Sequence, residues 1–283
     1  MEIVQAMIWN YKERYGKVDE VAFFHCGDVA EQFLLLCKPY PIRISGNPLD
    51  INKITLARFA DAGGHRVELN LPSLNDLVLR EIRSGYDSTF VLELIEQIKA
   101  HSLQVGVVLS PGLPLYSAEA ILKDVATVIE RNVSYVNIVP CLVWAGSGLA
   151  SRYAIGGWEP MNVEGAVQIC REMVDRLSAA NIPVPRIGIQ PGQDIQATAI
   201  AGPNHPNLRS LVQFRRFYDM MVAALAGHKH SSAKLIVHPK DVSLAKGEGG
   251  ENIQKLRRRL GLSEVIVTTS EAVKRGQVKK EEE

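Results

Sequence analysis

Residues 66–71 read RVELNL, and residues 105–110 read VGVVLS. Both are short runs that carry Val and Leu, which is typical of strands buried in a parallel sheet. Comparable runs are VAFF (21–24), IRIS (42–45), YVNIVP (135–140) and RIGIQ (186–190). The segments between these runs have apolar residues at helical spacing, so the sequence predicts strands that alternate with helices around a parallel sheet.

The predicted helices fill the intervals between the strands. They cover residues 3–15, 29–38, 51–62, 74–100 with a break at Gly85, 117–131 and 163–179. Six short strands with such helices fit either a partial β/α barrel or an open doubly wound sheet. No G-x-G-x-x-G or G-x-x-x-x-G-K-[ST] follows any strand, which argues against a dinucleotide or Walker-type site. In a barrel the functional residues would lie just past the C-terminal ends of the strands.

Composition is typical of an ordinary globular protein. The 283 residues are 46% hydrophobic, and 32 Lys and Arg nearly balance 31 Asp and Glu. The chain as a whole therefore has no field that would attract nucleic acid or a membrane. No apolar run approaches bilayer length and no cleavage pattern follows the first residues, so we expect a cytoplasmic protein without a membrane partner.

The four cysteines stand far apart, at Cys26, Cys37, Cys141 and Cys170. They form neither C-x-x-C nor C-x-x-x-C-x-x-C, so no disulfide framework or zinc knuckle is indicated. Cys26 and Cys141 both end predicted strands and could face one mouth. Alternation along a strand points His25 and Cys26 to opposite faces, which leaves too few ligands there, and no metal site is predicted. Cys37 and Cys170 have the apolar helical spacing of core residues.

One long stretch, RVELNLPSLNDLVLREIRSGYDS (66–88), resembles a motif of radical S-adenosylmethionine proteins of the Elongator-catalytic-subunit type, V-E-L-G-x-Q-S-x-x-D-x-V-L-x-x-x-x-R-G-H. IRISGNPLDI (42–51), VGVVLSPGLP (105–114) and YVNIVPCLVWAGSGL (135–149) resemble further motifs of that family, in the same order. The resemblance extends from residue 18 to about residue 215. It implies a partial barrel of parallel strands. For intact members it also implies S-adenosylmethionine and a [4Fe–4S] cluster held by a C-x-x-x-C-x-x-C loop after the first strand.

The sequence departs from this family at the positions that serve the cofactor. It begins at what would be the helix after the cluster loop, so the barrel is expected to miss its first strand. Residues 25–28 are His-Cys-Gly-Asp where the family has Gly-Gly, residues 46–47 are Gly-Asn where it has Thr-Arg, and Pro72 replaces a Gln. Either the gene model has lost its start or the protein has shed the radical chemistry. The altered positions favour the second interpretation, and no cofactor is expected for the chain as given.

If S-adenosylmethionine is nevertheless bound, the resemblance assigns it to Cys26, Gly27, Arg43, Glu68 and Ser73. Glu68 has an alternative role, because a carboxylate paired with Arg43 on the neighbouring strand would satisfy both groups. For a protein without a cluster, this structural ion pair is the favoured interpretation. The edge strand VAFF would need cover from a partner chain, a homodimer contact or the leading helix.

The tail has a different texture from the barrel. We expect a barrel over residues 1–226, a second module over 227–275 and a charged disordered tail over 276–283. VHPKDVSLAKGEGGENIQKLRRRLGLSEVIV (237–267) resembles the core of a KH module, with a G-x-x-G loop between two helices. That resemblance implies RNA binding by Lys246, Gly247, Gly250, Lys255, Arg257 and Arg258. Glu248 in the loop counts against it, and a small α/β cap is the alternative.

The sequence therefore predicts a radical S-adenosylmethionine-family protein, Elongator-catalytic-subunit-like, that lacks its cluster motif and acts in an RNA-associated role. From His228 onward, twelve Lys and Arg face eight Asp and Glu, which suits contact with RNA. The alternative is an active radical enzyme of the RNA-modification type whose cluster loop is missing from the gene model.

Overall fold

The computed structural model describes residues 2–24, 36–52, 56–189 and 199–281. Its centre is a parallel sheet of five strands, which pair in chain order. The strands are Val21–Phe24 (β1), Ile42–Gly46 (β2), Gly64–Asn70 (β3), Gln104–Leu109 (β4) and Tyr135–Ile138 (β5). A single parallel bridge joins Ile138 to Ile187, in the sixth predicted strand. The predicted alternation around a parallel sheet is confirmed.

Helices lie between the strands of this sheet. They are Glu2–Tyr15 (α1), Pro48–Ile51 (α2), Leu56–Asp61 (α3), Asp76–Glu81 (α4), Ser88–Ala100 (α5), Ala118–Glu130 (α6), Gly148–Ala154 (α7) and Val163–Ala179 (α8). The break predicted at Gly85 is present, since this glycine has a φ of +82° between α4 and α5. Most of the helix predicted over 29–38 lies outside the described residues, as do residues 53–55 between α2 and α3.

Side-chain caps explain where several helices begin. The Asn75 side chain accepts from the amides of Leu77 and Val78 at the start of α4. Asp87 accepts from the amide of Phe90 at the start of α5. Ser117 accepts from the amide of Ala120 at the start of α6. Each cap satisfies backbone donors that have no partner within the helix, so these loop positions fix the helix starts.

The two faces of the parallel sheet differ in polarity. Ile44, Val67, Val107 and Ile138 point to one face and are fully buried there. The other face carries the alternating polar positions, which include Glu68. Because successive side chains of a strand point to opposite faces, the sequence pattern of each strand decides both surfaces at once.

The strand β1 lies at the edge of the sheet, as predicted. No side chain from Val4 to Tyr15 in α1 is buried, and Met7 and Trp9 are 67% and 63% exposed. The leading helix therefore does not bury its described apolar side chains against this sheet. Cover of the edge by a partner chain or a second copy stays a prediction.

The chain divides into two compact units, Met1–Asn162 with Arg176–Asn204, and Val163–Asp175 with His205–Glu283. The first also contains a small antiparallel ladder of Val143–Trp144 (β6) and Ala199–Ala201 (β7). The second has a three-stranded sheet of Ser232–Val237 (β8), Glu264–Thr269 (β9) and Val278–Lys280 (β10), in the order β10-β8-β9. Its helices include Leu208–Ala224 (α9), Val242–Lys246 (α10) and Glu251–Leu260 (α11).

The second unit begins earlier in the chain than the boundary expected at residue 227. Phe217 and Met221 of α9 are buried in one cluster with Leu235, Val237 and Leu256 of the tail. The apolar face of α9 thus needs the tail sheet as its partner. The end of the chain also differs from the expected disordered tail over 276–283, because β10 pairs antiparallel with β8 there.

In the described parts of the chain, none of the helices is long and apolar enough to cross a bilayer.

Candidate functional site

The polar face of the parallel sheet carries a cluster centred on Glu68. Strand register places Ser45, Glu68, Gly106 and Tyr135 in one row across β2, β3, β4 and β5. Asn137 lies two residues further along β5 and therefore points to the same face. This face thus assembles a carboxylate with three hydrogen-bond donors, one from β2 and two from β5.

The Glu68 carboxylate is 2% exposed, and four side chains contact it. Its Oε1 accepts from Ser45 Oγ at 2.8 Å and lies 3.2 Å from Arg43 Nη1. Its Oε2 accepts from the Tyr135 hydroxyl at 2.7 Å and from Asn137 Nδ2 at 2.8 Å. The ion pair expected between Arg43 and Glu68 is present. Three hydrogen bonds and one ion pair from the described residues thus engage the two carboxylate oxygens.

Gly106 makes the contact between Tyr135 and Glu68 possible. A Cβ at residue 106 would lie 2.1 Å from the Tyr135 Cζ, so only glycine leaves room for the ring. Burial, and next the charge of Glu68, raise the pKa of Tyr135 far above its ordinary value. The phenol therefore stays protonated and donates its hydrogen to the carboxylate.

A second carboxylate, Glu20, extends this cluster toward the start of the strands. Its Oε2 accepts from Arg43 Nε at 2.8 Å and its Oε1 from Arg66 Nη1 at 3.0 Å. Arg66 also donates from Nε and Nη2 to Gln104 Oε1, at 3.0 and 2.7 Å. The cations and carboxylates on this face are thus matched to one another, as buried charges must be.

Ser73, another residue assigned to the cofactor, belongs to a separate buried network. Its Oγ donates to Asp124 Oδ2 at 2.7 Å. Asp124 Oδ2 also accepts from the Leu74 amide at 2.7 Å and from the Tyr116 hydroxyl at 2.6 Å. The network ties the loop after β3 to α6. Of the five residues assigned to the cofactor, the structure brings Arg43 and Glu68 together and places Ser73 elsewhere. The remaining two, Cys26 and Gly27, lie outside the described residues.

The described cysteines are buried thiols. Burial raises the pKa of Cys141 to about 11 and that of Cys170 to about 12, and it also raises the pKa of Cys37. Protonated thiols are poor metal ligands, because the thiolate is the form that binds. Within the described ranges, no group of three or more His, Cys, Asp or Glu side chains could hold a metal ion. These residues therefore do not fit a [4Fe–4S] cluster.

The second unit contains the predicted order of strand, helix, glycine loop, helix and strand. The loop Gly247–Gly250 joins α10 to α11, and φ is positive at Gly247, Gly249 and Gly250. A Cβ on Gly247 would come within 3.0 Å of Asn252, whose buried amide donates to the Phe214 and Ala245 carbonyls. A Cβ on Gly249 or Gly250 would meet nothing within 4 Å. Gly247 is thus required by packing, whereas the last two glycines form an open surface.

The cations predicted to contact nucleic acid lie at the end of α10 and along α11. Lys246, Lys255, Arg257 and Arg258 are all exposed, and so is Arg259, which the sequence pattern did not single out. Lys255 pairs with Glu251 at 2.7 Å, one turn earlier on the same helix. Glu248 is exposed within the loop, so the cations do not stand alone there. KH identity and RNA binding stay predictions.

Sequence reasoning missed Glu20, Tyr135 and Asn137. The usable signal was the alternation along β5, which gives Tyr135 and Asn137 the same face, but strand register decides that this face meets Glu68. Glu20 precedes β1 in a polar stretch, where nothing in the pattern marks it as a partner for two arginines.

Parts of this chain are similar to a known protein family and to two known proteins. Residues 133–216 match the Radical_SAM C-terminal domain family. Over 110 residues the chain is 29% identical to the tRNA uridine(34) acetyltransferase of Methanocaldococcus infernus, which covers 38% of this chain and 21% of that protein. Over 103 residues it is 26% identical to the heme chaperone HemW of Buchnera aphidicola, which covers 36% of this chain and 27% of that one. Over residues 133–216 the chain is thus similar to the C-terminal domain of radical S-adenosylmethionine proteins.

A solved structure has a fold similar to that of this chain. The archaeal Elp3 of Methanocaldococcus infernus, with an N-terminal deletion, superposes with a TM-score of 0.62 over 81% of this chain and 59% of that one. At 18% sequence identity this likeness shows the fold alone. The aligned segments span only about a fifth to a quarter of the two curated relatives.

Proposed function

We propose that this chain is a radical S-adenosylmethionine-type scaffold that performs no radical chemistry by itself and works in association with RNA. The single observation that carries the proposal is the engagement of Glu68 by four described side chains. The resemblance assigns this carboxylate to the cofactor, yet Ser45, Tyr135 and Asn137 already donate hydrogen bonds to it and Arg43 forms an ion pair with it.

A ligand that used Glu68 would compete with these four partners. Arg43 would keep its second ion pair, with Glu20, whereas displacing Ser45, Tyr135 or Asn137 would affect a residue that is at most 6% exposed. Leaving a buried donor or acceptor unpaired costs about 1–3 kcal/mol, which the ligand would have to offset. Because the Tyr135 ring lies over Gly106, the row also fills the space beside the carboxylate with protein. Both points support a structural role for this face.

The described cysteines point in the same direction. Cys37, Cys141 and Cys170 are buried and protonated, so they do not supply the three thiolates that a cluster needs. The described cysteines therefore support a chain without radical chemistry of its own.

The RNA-associated part of the proposal rests on the second unit and on one relative. The exposed cations of α11 and the open glycine loop give a surface suited to phosphates. The relative from Methanocaldococcus infernus is named as a tRNA uridine(34) acetyltransferase, and it aligns with this chain over 110 residues. That same match favours the alternative function, an active radical enzyme of the RNA-modification type.

Anaerobic reconstitution separates the two functions. The chain is incubated with iron, sulfide and dithionite, and then with S-adenosylmethionine, and 5′-deoxyadenosine is quantified. We expect a colourless protein and no cleavage. A brown protein that cleaves S-adenosylmethionine would overturn the scaffold proposal and establish the alternative. Translation of the DNA upstream of residue 1 belongs to the same experiment, and any in-frame C-x-x-x-C-x-x-C segment is included in a second preparation.

A further inference from the structure

Three helices of the second unit border a groove of about 630 Å³. The helices are α9, α11 and the first turns of α8. We call this the three-helix groove. It is separate from the open glycines of the loop, because Gly249 and Gly250 are not among the residues that line it.

The groove is lined by two aromatic rings and by several charged side chains. Phe214 and Tyr218 lie one turn apart on α9, and both rings are half-buried. Arg215, Lys255 and Arg259 supply three cations at its walls. Planar rings next to cations are the usual elements of a site for single-stranded nucleic acid, since every base has a face that can stack and every nucleotide a phosphate.

The three cations differ in how strongly they are engaged. Arg215 Nε contacts Asp219 at 3.2 Å, and Lys255 contacts Glu251 at 2.7 Å, both as exposed pairs within one helix. Such pairs contribute roughly 0–1 kcal/mol, so a phosphate can compete for either cation. Arg259 is exposed in the last turn of α11 and takes part in no ion pair among the residues that the structure describes. It is the cation most available to a ligand.

We propose that the three-helix groove binds single-stranded RNA, with a base stacked on Tyr218 and Phe214 and the phosphates held by Lys255 and Arg259. This inference rests on the proposed RNA-associated role and names the site that performs it. The groove volume suits one or two nucleotides, because pockets for small ligands span about 300–1,000 Å³.

An acidic peptide is the competing occupant. Glu164 and Glu251 also line the groove, and their carboxylates repel the anionic groups of a peptide and of RNA alike. Charge therefore does not separate the two occupants. The half-buried rings of Phe214 and Tyr218 favour RNA, because a base can stack on them and an acidic side chain cannot.

The test compares variants that carry the same charge change. Arg259→Ala removes a groove cation, whereas Arg209→Ala removes an exposed cation of α9 that does not line the groove. Tyr218→Leu removes the stacking ring, and Tyr153→Leu removes an exposed ring of the first unit as its control. Affinity is measured by fluorescence anisotropy with a labelled single-stranded RNA of about eight nucleotides, within the usual site size.

We expect Arg259→Ala and Tyr218→Leu each to weaken binding about fivefold or more, while their controls change it by less than about twofold. Both arginine positions are exposed, so a loss of binding by Arg259→Ala does not reflect unfolding, and thermal melting of each variant verifies this. If the wild-type chain binds no RNA, both the RNA-associated role and the groove fail. If it binds RNA and the variants match their controls, only the groove is overturned. A poly-glutamate peptide that displaces the RNA and binds more tightly than it does would also overturn the assignment.

Discussion

The Tyr135 hydroxyl lies 2.7 Å from the Glu68 carboxylate, and the glycine between them, Gly106, is what allows the ring to reach across β4. Three neighbouring strands thus depend on one another at a single row of the sheet. A side chain at residue 106 would displace the Tyr135 ring. Loss of the Tyr135 hydroxyl, or of the Ser45 hydroxyl on the other side, would leave the buried Glu68 carboxylate short of a donor.

Substitution of Gly106 by Ala should destabilise the first unit. The new Cβ would lie 2.1 Å from Tyr135 Cζ, so either the ring or the strand must move. Overpacking of this kind costs about 1–3 kcal/mol in the free energy of unfolding, measured by urea denaturation. Gly148→Ala is the control, because a Cβ there meets nothing within 4 Å. Equal stability of the two variants would mean that the ring is not confined as described.

Loss of the Tyr135 hydroxyl should cost about as much as the overpacked glycine. Tyr135→Phe leaves Glu68 Oε2 with Asn137 as its only remaining donor within the described residues. Hydrogen bonds to charged groups contribute about 1.5–3 kcal/mol, so we expect a loss of that size in the free energy of unfolding. Tyr135→Phe combined with Glu68→Gln should recover part of the loss, because the buried charge is then gone. A double variant that is less stable than the sum of its single changes would contradict this account.

The buried network around Asp124 gives a test of coupling. Ser73→Ala and Tyr116→Phe each remove one donor from Asp124 Oδ2. Each should cost about 1.5–3 kcal/mol, because the acceptor is a carboxylate, and the double variant should depart from additivity by about 0.5 kcal/mol or more, because the two share one acceptor. Additive losses in urea denaturation would show that the hydroxyls act independently.

The buried thiols predict both low reactivity and a dependence of stability on pH. At about pH 8, Cys141 and Cys170 should not react with Ellman's reagent in the native protein, because their thiols are protonated and buried. Four thiols should react after denaturation. The pKa of Cys170 rises from its ordinary 9.0 to about 12 on folding, so its contribution to stability is complete below pH 9.0 and is lost as the pH approaches 12. Cys170→Ala should flatten that alkaline decline, and an unchanged decline would exclude Cys170 as its source.

The open glycines of the loop predict an effect on RNA affinity. Gly250→Asp adds a negative charge at a position where a Cβ meets nothing, so it should weaken RNA binding without unfolding the unit. Gly227→Asp makes the same change at another open glycine with positive φ and serves as the control. The comparison is run across a salt series. Equal affinity of the two variants would remove the loop from the RNA surface, whereas Gly247→Asp is unsuitable because it would collide with Asn252.

Much of the fold could be predicted from the sequence because its signals are local. Gly85 marks the break between α4 and α5, Asn75 and Asp87 cap the starts of these two helices, and the apolar runs mark the strands. The strand–helix–loop–helix–strand order of the tail followed from the same kind of signal. The partnership of α9 with the tail sheet did not, because the sequence shows only that this helix has an apolar face and not which surface covers it.

The sequence by itself determined where strands and helices form, that Glu68 lies on a strand, and that no run of cysteines in these 283 residues has cluster spacing. The tertiary structure decided what Glu68 does. Its partners come from positions 23 to 69 residues away, and only the register of four parallel strands brings them to one carboxylate. Register depends on long-range packing of whole strands, so the same glutamate could have served a ligand in another register, whereas here it is closed by its own protein.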